Sequence, residues 1–338
     1  MALAISGIGI VSALGCGIQS FKDGLSGKKQ PNMDNMEFDT PAGRISLPVY
    51  RAKEEGLETF VPKRALRRVD PFARMALLSS FQAVEDAGIE FPDKSRVGVV
   101  FGSGHGALQT TFNFLDGIIE DGDKGASPTH FANSVHNALA SQVSNFMKLT
   151  GPCSTVTCFH QTVSQVLFMA ESWLAEGTVD YVLAGFGDEF CDVLGYAAAG
   201  FSGNTVQENQ PLNFERCSFS PGQGHVTFLL SSAETDTKYG KLNLVHFGLS
   251  AEVTNEFLSK KDNPVYLAAN GNQIEGASYS QLKAAGETAS HAHIFGSMPL
   301  GAAFEIAVAA IDSKQTGQKI SCVEYAGRER FNLYSISE

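Results

Sequence analysis

The sequence predicts a layered α/β fold built from two related halves. Three observations carry that prediction. Short apolar runs rich in Val, Ile and Phe alternate with stretches of helical periodicity. Gly-containing turns punctuate them. The order of elements in the first part of the chain also returns in the second, as an internal duplication would produce. The 338 residues are 43% hydrophobic and 18% charged, enough for a sizeable core in one large layered domain or two smaller ones.

Taken in order, residues 3–10 read as a strand entering a Gly turn. Residues 71–87 read as an amphipathic helix, with Ala73, Ala76, Leu77, Phe81 and Val84 near helical spacing and Gly88 as its stop. Residues 96–101 (RVGVVF) form an apolar strand ending in Gly102-Ser103-Gly104-His105-Gly106. That turn lacks the GxSxG and GKS patterns, so a sharp strand-to-helix connection explains it. Helices are predicted at 107–119, 134–148 and 161–176, with strands at 153–158 and 179–184. The second half gives a strand at 242–249, a helix at 278–287 and a strand at 291–295 leading to Gly296-Ser297. A helix at 301–312 and a strand at 320–325 follow. VVFGSG near 101 matches HIFGSM near 296, and AEGTVDYVLAG matches QTGQKISCVEYAG. The two halves are set at 1–205 and 206–338. Polar stretches 120–128 and 203–221 read as loops, the latter long enough to be functional or to cover an interface.

With 25 Lys+Arg against 36 Asp+Glu the formal charge is −11, which argues against sequence-independent nucleic-acid binding. No run approaches the roughly 20 apolar residues of a membrane span. MALAISGIGIVSALG lacks a basic leader region and reads as a strand, which points to a cytoplasmic protein. The six cysteines (16, 153, 158, 191, 217, 322) have no CxxC spacing, so neither a disulfide framework nor a zinc site is expected. His291 and His293 alternate on the predicted strand with no third metal ligand in register.

Residues 5–27, 66–89, 97–106, 151–156 (GPCSTV) and 177–187 (GTVDYVLAGFG) together resemble β-ketoacyl synthases of the thiolase-like fold. The resemblance implies a five-layered α-β-α-β-α sandwich, normally dimeric. It also implies a Cys nucleophile on a strand-to-helix elbow and two His residues from the second half. The thiolate takes the acyl chain as a thioester. The imidazoles stabilise the enolate formed on malonyl decarboxylation. Counted from the Gly-Pro of GPCSTVTCFHQTVSQ, the nucleophile position falls on His160, with Gln161 next to it. Asn270 stands for the first histidine and Met298 for the second, while the gating loop becomes Gly327-Arg328-Glu329-Arg330. None of these can form a thioester.

A scaffold kept without its nucleophile resembles the chain-length factor, the ketosynthase-β subunit of type II polyketide or related polyene synthases. The resemblance implies a heterodimer with an active ketosynthase-α and condensation of malonyl units from an acyl carrier protein. The phosphopantetheine belongs to that carrier, and no cofactor is expected in this chain. The tunnel wall maps to Ala107, Thr110 and Phe114, which share one helical face. A Gln at the nucleophile position is linked to decarboxylation in that family, and Gln161 stands one place late. Residues 127–139 match a segment that crosses the dimer interface. Two other roles stay open: a plug at His160, and a divergent acyltransferase or decarboxylase using Cys158 or His160.

Overall fold

A computed structural model of the chain describes residues 2–41, 43–202, 209–233, 237–260 and 262–338. It opens with strands β1 (Leu3–Ser12) and β2 (Gly15–Cys16), helix α1 (Ile18–Leu25) and a hairpin of β3 (Met33–Thr40) and β4 (Gly43–Tyr50). Helix α2 (Pro71–Ala87), β5 (Val97–Gly102), α3 (Leu108–Asp121), α4 (Pro128–Ser134) and α5 (Ala138–Met147) follow. Next come β6 (Cys153–Val156), α6 (Thr162–Ala175), β7 (Tyr181–Asp188), α7 (Asp192–Ser202) and β8 (Gly224–Ser232). The remainder is β9 (Lys241–Ser250), α8 (Ala251–Leu258), β10 (Val265–Leu267), α9 (Gln273–Tyr279), β11 (Thr288–Ala289), α10 (Ala292–Phe295), α11 (Gly301–Thr316), β12 (Ile320–Gly327) and β13 (Arg330–Ser337).

Strand pairing exposes the duplication. One section runs β6-β5-β7-β8-β1 and the other β11-β10-β12-β13-β9. Counting the five main strands of each section along the chain, both have the order third-second-fourth-fifth-first. In both, the second strand lies parallel to the third and fourth, and the fourth-fifth and fifth-first pairs are antiparallel. The sections meet edge to edge where Leu3 pairs with Leu242 and Ala4 with Lys241. Helices α6 and α11 each pack on their own section and touch a strand of the other, so they form a central layer. Helices α2 and α5 cover the first section from outside, and α8 and α9 cover the second. The result is the five-layered sandwich expected from the sequence. In α11 every residue from Gly301 to Ile311 is buried, as a helix between two sheets must be.

Local chemistry explains the elements that were legible. Helix α2 starts where the Asp70 carboxylate accepts from Ala73 N at 2.9 Å, carries Pro71 at its first position, and ends at Gly88 with φ 65°.

Several expectations need correction. The helix expected at 134–148 is α5 and starts later, at Ala138, behind a separate short helix that ends at Ser134. The helix expected at 278–287 lies earlier, at Gln273–Tyr279, with turns behind it. HAHIF is the short helix α10 rather than a strand; its alternation is accidental, and the matching strand is Val265–Leu267. HIFGSM therefore corresponds to the elbow before α6, not to VVFGSG. The match of AEGTVDYVLAG with QTGQKISCVEYAG does coincide with topologically equivalent strands, β7 and β12. The boundary at 205/206 and part of the 203–221 loop lie outside the described residues. Because β8 pairs with β7 and β1, we place the division of the halves between Ser232 and Lys241.

Candidate functional site

The site is built where the second half of the chain meets the elbow between β6 and α6. The strand ends at Val156, and a single 3₁₀ turn, Phe159–Gln161, leads into the helix. Phe159 has φ 49°, a left-handed conformation that costs a bulky residue roughly 1–2 kcal/mol and is tolerated only where its surroundings enforce it. The Thr162 hydroxyl accepts from Cys158 N at 2.8 Å and ties the turn to the helix start. The Cys158 side chain is exposed.

His160, Asn270 and Met298, distant in sequence, line one cavity of ≈ 20 Å³, room for about one water. His160 stands edge-on to Tyr325 with centroids 5.2 Å apart, and its Nδ1 is 4.0 Å from Glu275 Oε1. Burial pulls its pKa down, which favours the neutral ring. Asn270 Oδ1 accepts from Asn272 N at 2.9 Å, which shapes the turn into α9. Met298 is buried and supplies apolar wall.

Two carboxyls beneath this cavity were not read from the sequence. Glu275 and Glu324 are both buried, and desolvation pushes each up to about 7. Glu324 Oε2 accepts from Asn332 Nδ2 at 2.9 Å and from the Tyr334 hydroxyl. A glutamate inside the apolar run ISCVEY was the available signal for one of them. The imidazole-rich, cationic surroundings that a thiolate needs are replaced here by acids.

Gln161 is exposed, and its Nε2 reaches Ala326 O at 3.5 Å. The expected gating loop is the tight end of the β12–β13 hairpin, with Arg328 at φ 52° and Glu329 at φ 58°. His291 Nδ1 donates to Glu305 Oε2 at 2.7 Å; burial opposes its charge, but the Glu305 carboxylate more than offsets this and raises the pKa.

A second, larger cavity of ≈ 560 Å³ adjoins the elbow, with Phe159 in its wall beside His105, Asp188, Glu189, Phe190 and Phe219. The proposed tunnel residues do not line it. Ala107 and Thr110 are buried in the chain's own packing, while half-buried Phe114 lies 5.6 Å from the Phe131 ring of α4. The Gly102–Gly106 turn is held by Asp188, whose Oδ1 accepts from Ser103 Oγ, Gly104 N and His105 N. It is therefore a strand-to-helix connection, as its sequence suggested.

The model of the β-ketoacyl synthase N-terminal domain matches residues 49–198. The chain is 26% identical over 264 residues to 3-oxoacyl-[acyl-carrier-protein] synthase 2 of Vibrio cholerae, covering 74% of this chain and 63% of that protein. It is likewise 26% identical over 272 residues to the Rhizobium meliloti protein of the same name, covering 74% and 64%. The chain is thus similar to β-ketoacyl synthases over residues 49–198 and to these synthases over about three quarters of its length. It spans less than two thirds of the length of these relatives. Among solved structures, the ishigamide ketosynthase/chain length factor superposes with TM-score 0.79 at 15% identity, covering 100% of this chain and 99% of that one. The ketosynthase ApeO in complex with its chain length factor ApeC from Xenorhabdus doucetiae gives TM-score 0.73 at 13% identity, covering 100% and 98%. AntDE:AntF, a type II ketosynthase with its acyl-carrier protein, gives 0.74 at 14%, covering 99% of each. At these identities the likeness is one of fold. No helix among the described residues is long and apolar enough to cross a membrane.

Proposed function

We propose that this chain is the nucleophile-free, chain-length-factor-like subunit of a ketosynthase pair. It joins an active ketosynthase in type II polyketide or polyene assembly and moulds the cavity that receives the growing chain. The observation that carries this reading is the elbow itself. The turn holds Phe159, His160 and Gln161, and the facing positions hold Asn270 and Met298, so no side chain at that point can carry an acyl group as a thioester.

Two surface features support the assembly. Strand β6 is a sheet edge with nothing on its outer side among the described residues, an invitation to pairing. Leu115, Ile119, Phe131 and Val135 of the α3–α4 region are exposed large apolar groups, an arrangement that marks interaction surfaces. Phe114, which faces Phe131 there, is the one of the three mapped wall residues that this proposal keeps in the tunnel. The exposed cluster Lys63, Arg64, Arg67 and Arg68 stands out on an acidic protein and suits an acidic carrier protein delivering phosphopantetheine-bound chains. In the pair, this chain's own residues exclude water and set the space available. The bond-making thiolate belongs to the partner.

Co-expression with Cys-bearing ketosynthases of the source genome tests the pairing. One of them is expected to co-purify as a 1:1 complex by mass spectrometry and gel filtration, with the chain alone poorly soluble or self-associated. A stable isolated monomer that binds none of them contradicts the proposal. The rival reading rests on Cys158, whose thiol is exposed near the start of α6; covalent acylation there would favour an enzyme with its own activity.

A further inference from the structure

The ≈ 560 Å³ cavity has the size of a small-molecule site and walls that are mainly apolar, Phe159, Phe190, Leu194, Phe219 and Pro299 among them. Its charged lining is one-sided. Asp188 and Glu189 lie in it next to His105, and no Lys or Arg lines it among the described residues. Asp188 is 1% exposed. Its Oδ1 is fully engaged, accepting from the Ser103 hydroxyl at 2.9 Å, Gly104 N at 2.8 Å and His105 N at 3.0 Å. Its Oδ2 has no hydrogen-bond partner among the described residues. Glu189, 6% exposed, spends Oε1 on Gln109 N at 2.7 Å, in the first turn of α3.

We infer that this cavity is a binding site for a ligand with an apolar body and a protonated amine head, seated on Asp188 and Glu189. A buried carboxylate oxygen left unpaired is costly, and the binding event that removes the cost must bring a donor. Burial pushes the Asp188 carboxyl up while the three donors on Oδ1 work against that and fix its orientation, so a cation on the free Oδ2 would tip it to the charged form. An ammonium group has three donors and no acceptor, which lets it serve both side chains at once. A carboxylate-ended ligand would meet two acids and no counter-charge. A ketone or ester end brings only acceptors. Burial pushes Glu189 up to about 7, and a bound cation would restore its ionised form. The elbow's Phe159, edge-to-face with His105 at 5.1 Å, closes one side of the cavity. The inference uses this chain's cavity alone and does not depend on the paired-subunit reading.

The full chain, alone or in its complex, is titrated calorimetrically with octylamine, 1-octanol and octanoate. Octylamine is expected to bind at least tenfold more tightly than octanol, and octanoate more weakly than both. Glu189→Gln and Asp188→Asn are each expected to lower octylamine affinity at least tenfold while leaving octanol within twofold. Ala197→Trp, at the cavity wall, is expected to abolish binding of both. If Asp188→Asn does not fold, Glu189→Gln and Ala197→Trp still decide the matter. Equal affinity for amine, alcohol and carboxylate overturns the inference, as does amine binding untouched by Glu189→Gln or by Ala197→Trp.

Discussion

The protein is expected to be most stable near pH 5 and to lose thermal stability steadily as the pH is raised to 8. Glu189, Glu275 and Glu324 are buried and pushed up to about 7 from an ordinary 4.5, so the fold holds their protons where the unfolded chain releases them. A group that binds more protons when folded stabilises the fold at low pH and withdraws that contribution as pH rises from 4.5 to 7. Each is worth up to roughly 3 kcal/mol at about 1.4 kcal/mol per pH unit. Glu275 and Glu324 influence one another, so their contributions do not simply add. His291, raised by Glu305 against the effect of burial, acts in the same direction. His225 opposes them. It is fully buried with its pKa lowered to about 3, and its contribution is present above 6.5 and lost as pH falls toward 3. Between pH 7 and 5 several groups gain against one that loses. Below about 4.5 the glutamate gains are complete while the His225 loss continues. It is joined by that of Asp93 and Asp180, whose carboxyls are held below their ordinary range by hydrogen bonds from Ser95 and Arg96, and this sets the optimum. Thermal melts from pH 4 to 8 check this, and Glu324→Gln should flatten the alkaline limb. A melting temperature that is level or highest at pH 8 contradicts it.

Gly9→Ala is expected to cost 3 kcal/mol or more and to yield mainly insoluble protein, an overpacking penalty at the upper end of its usual range. Helix α2 lies so close on β1 that a Cβ at Gly9 would sit 1.8 Å from Ser79 O and 2.7 Å from Ala83 N. A Cβ at Gly7 would sit 2.1 Å from Ala83 O. These are backbone atoms, which no rotamer change can remove, so the whole helix would have to lift off the strand. Ser79 also holds the buried His225 through a 2.8 Å hydrogen bond to Nδ1, so lifting the helix would strip that ring of a partner. Gly200→Ala, where an added Cβ meets nothing within 4 Å, serves as the control and should melt within a few degrees of the parent. Wild-type melting for Gly9→Ala would refute the close-packing account.

Much of the scaffold was legible because its signals are local. The cap at Asp70, the stop at Gly88 and the apolar faces between them define α2 without reference to anything distant. The duplication was legible in part for the same reason: β7 and β12 are long apolar strands with similar turns before them. The failures have a common cause. HAHIF alternates like a strand, but the parallel strand at this point of the repeat is only Thr288–Ala289, and the turn after it coils into α10. HVTFLLSS, the body of β8, follows a long polar loop and went unread although its β-branched and aromatic residues suit a strand. Its pairing with both β7 and β1 then moves the division between halves.

The site divides in the same way. His160, Asn270 and Met298 could be placed by the resemblance to ketosynthase motifs, and they do meet around one cavity. The acids that surround or neighbour them, Glu275, Glu324, Asp188 and Glu189, matter through burial and through contacts between remote segments. Spacing along the chain carries neither. The Asp188 carboxylate receives the β5–α3 turn, and no local pattern announces a contact over 80 residues away.

The central claim is that the thiol-bearing position of the fold has been given up. Its most direct test is intact-mass analysis of the purified chain after incubation with an acyl-thioester and malonyl-loaded carrier protein, with no partner present. The account predicts an unmodified mass and no condensation product, with product appearing only when an intact ketosynthase is added. A stable acyl adduct on Cys158, or a carbon–carbon bond formed by the chain alone, would contradict it.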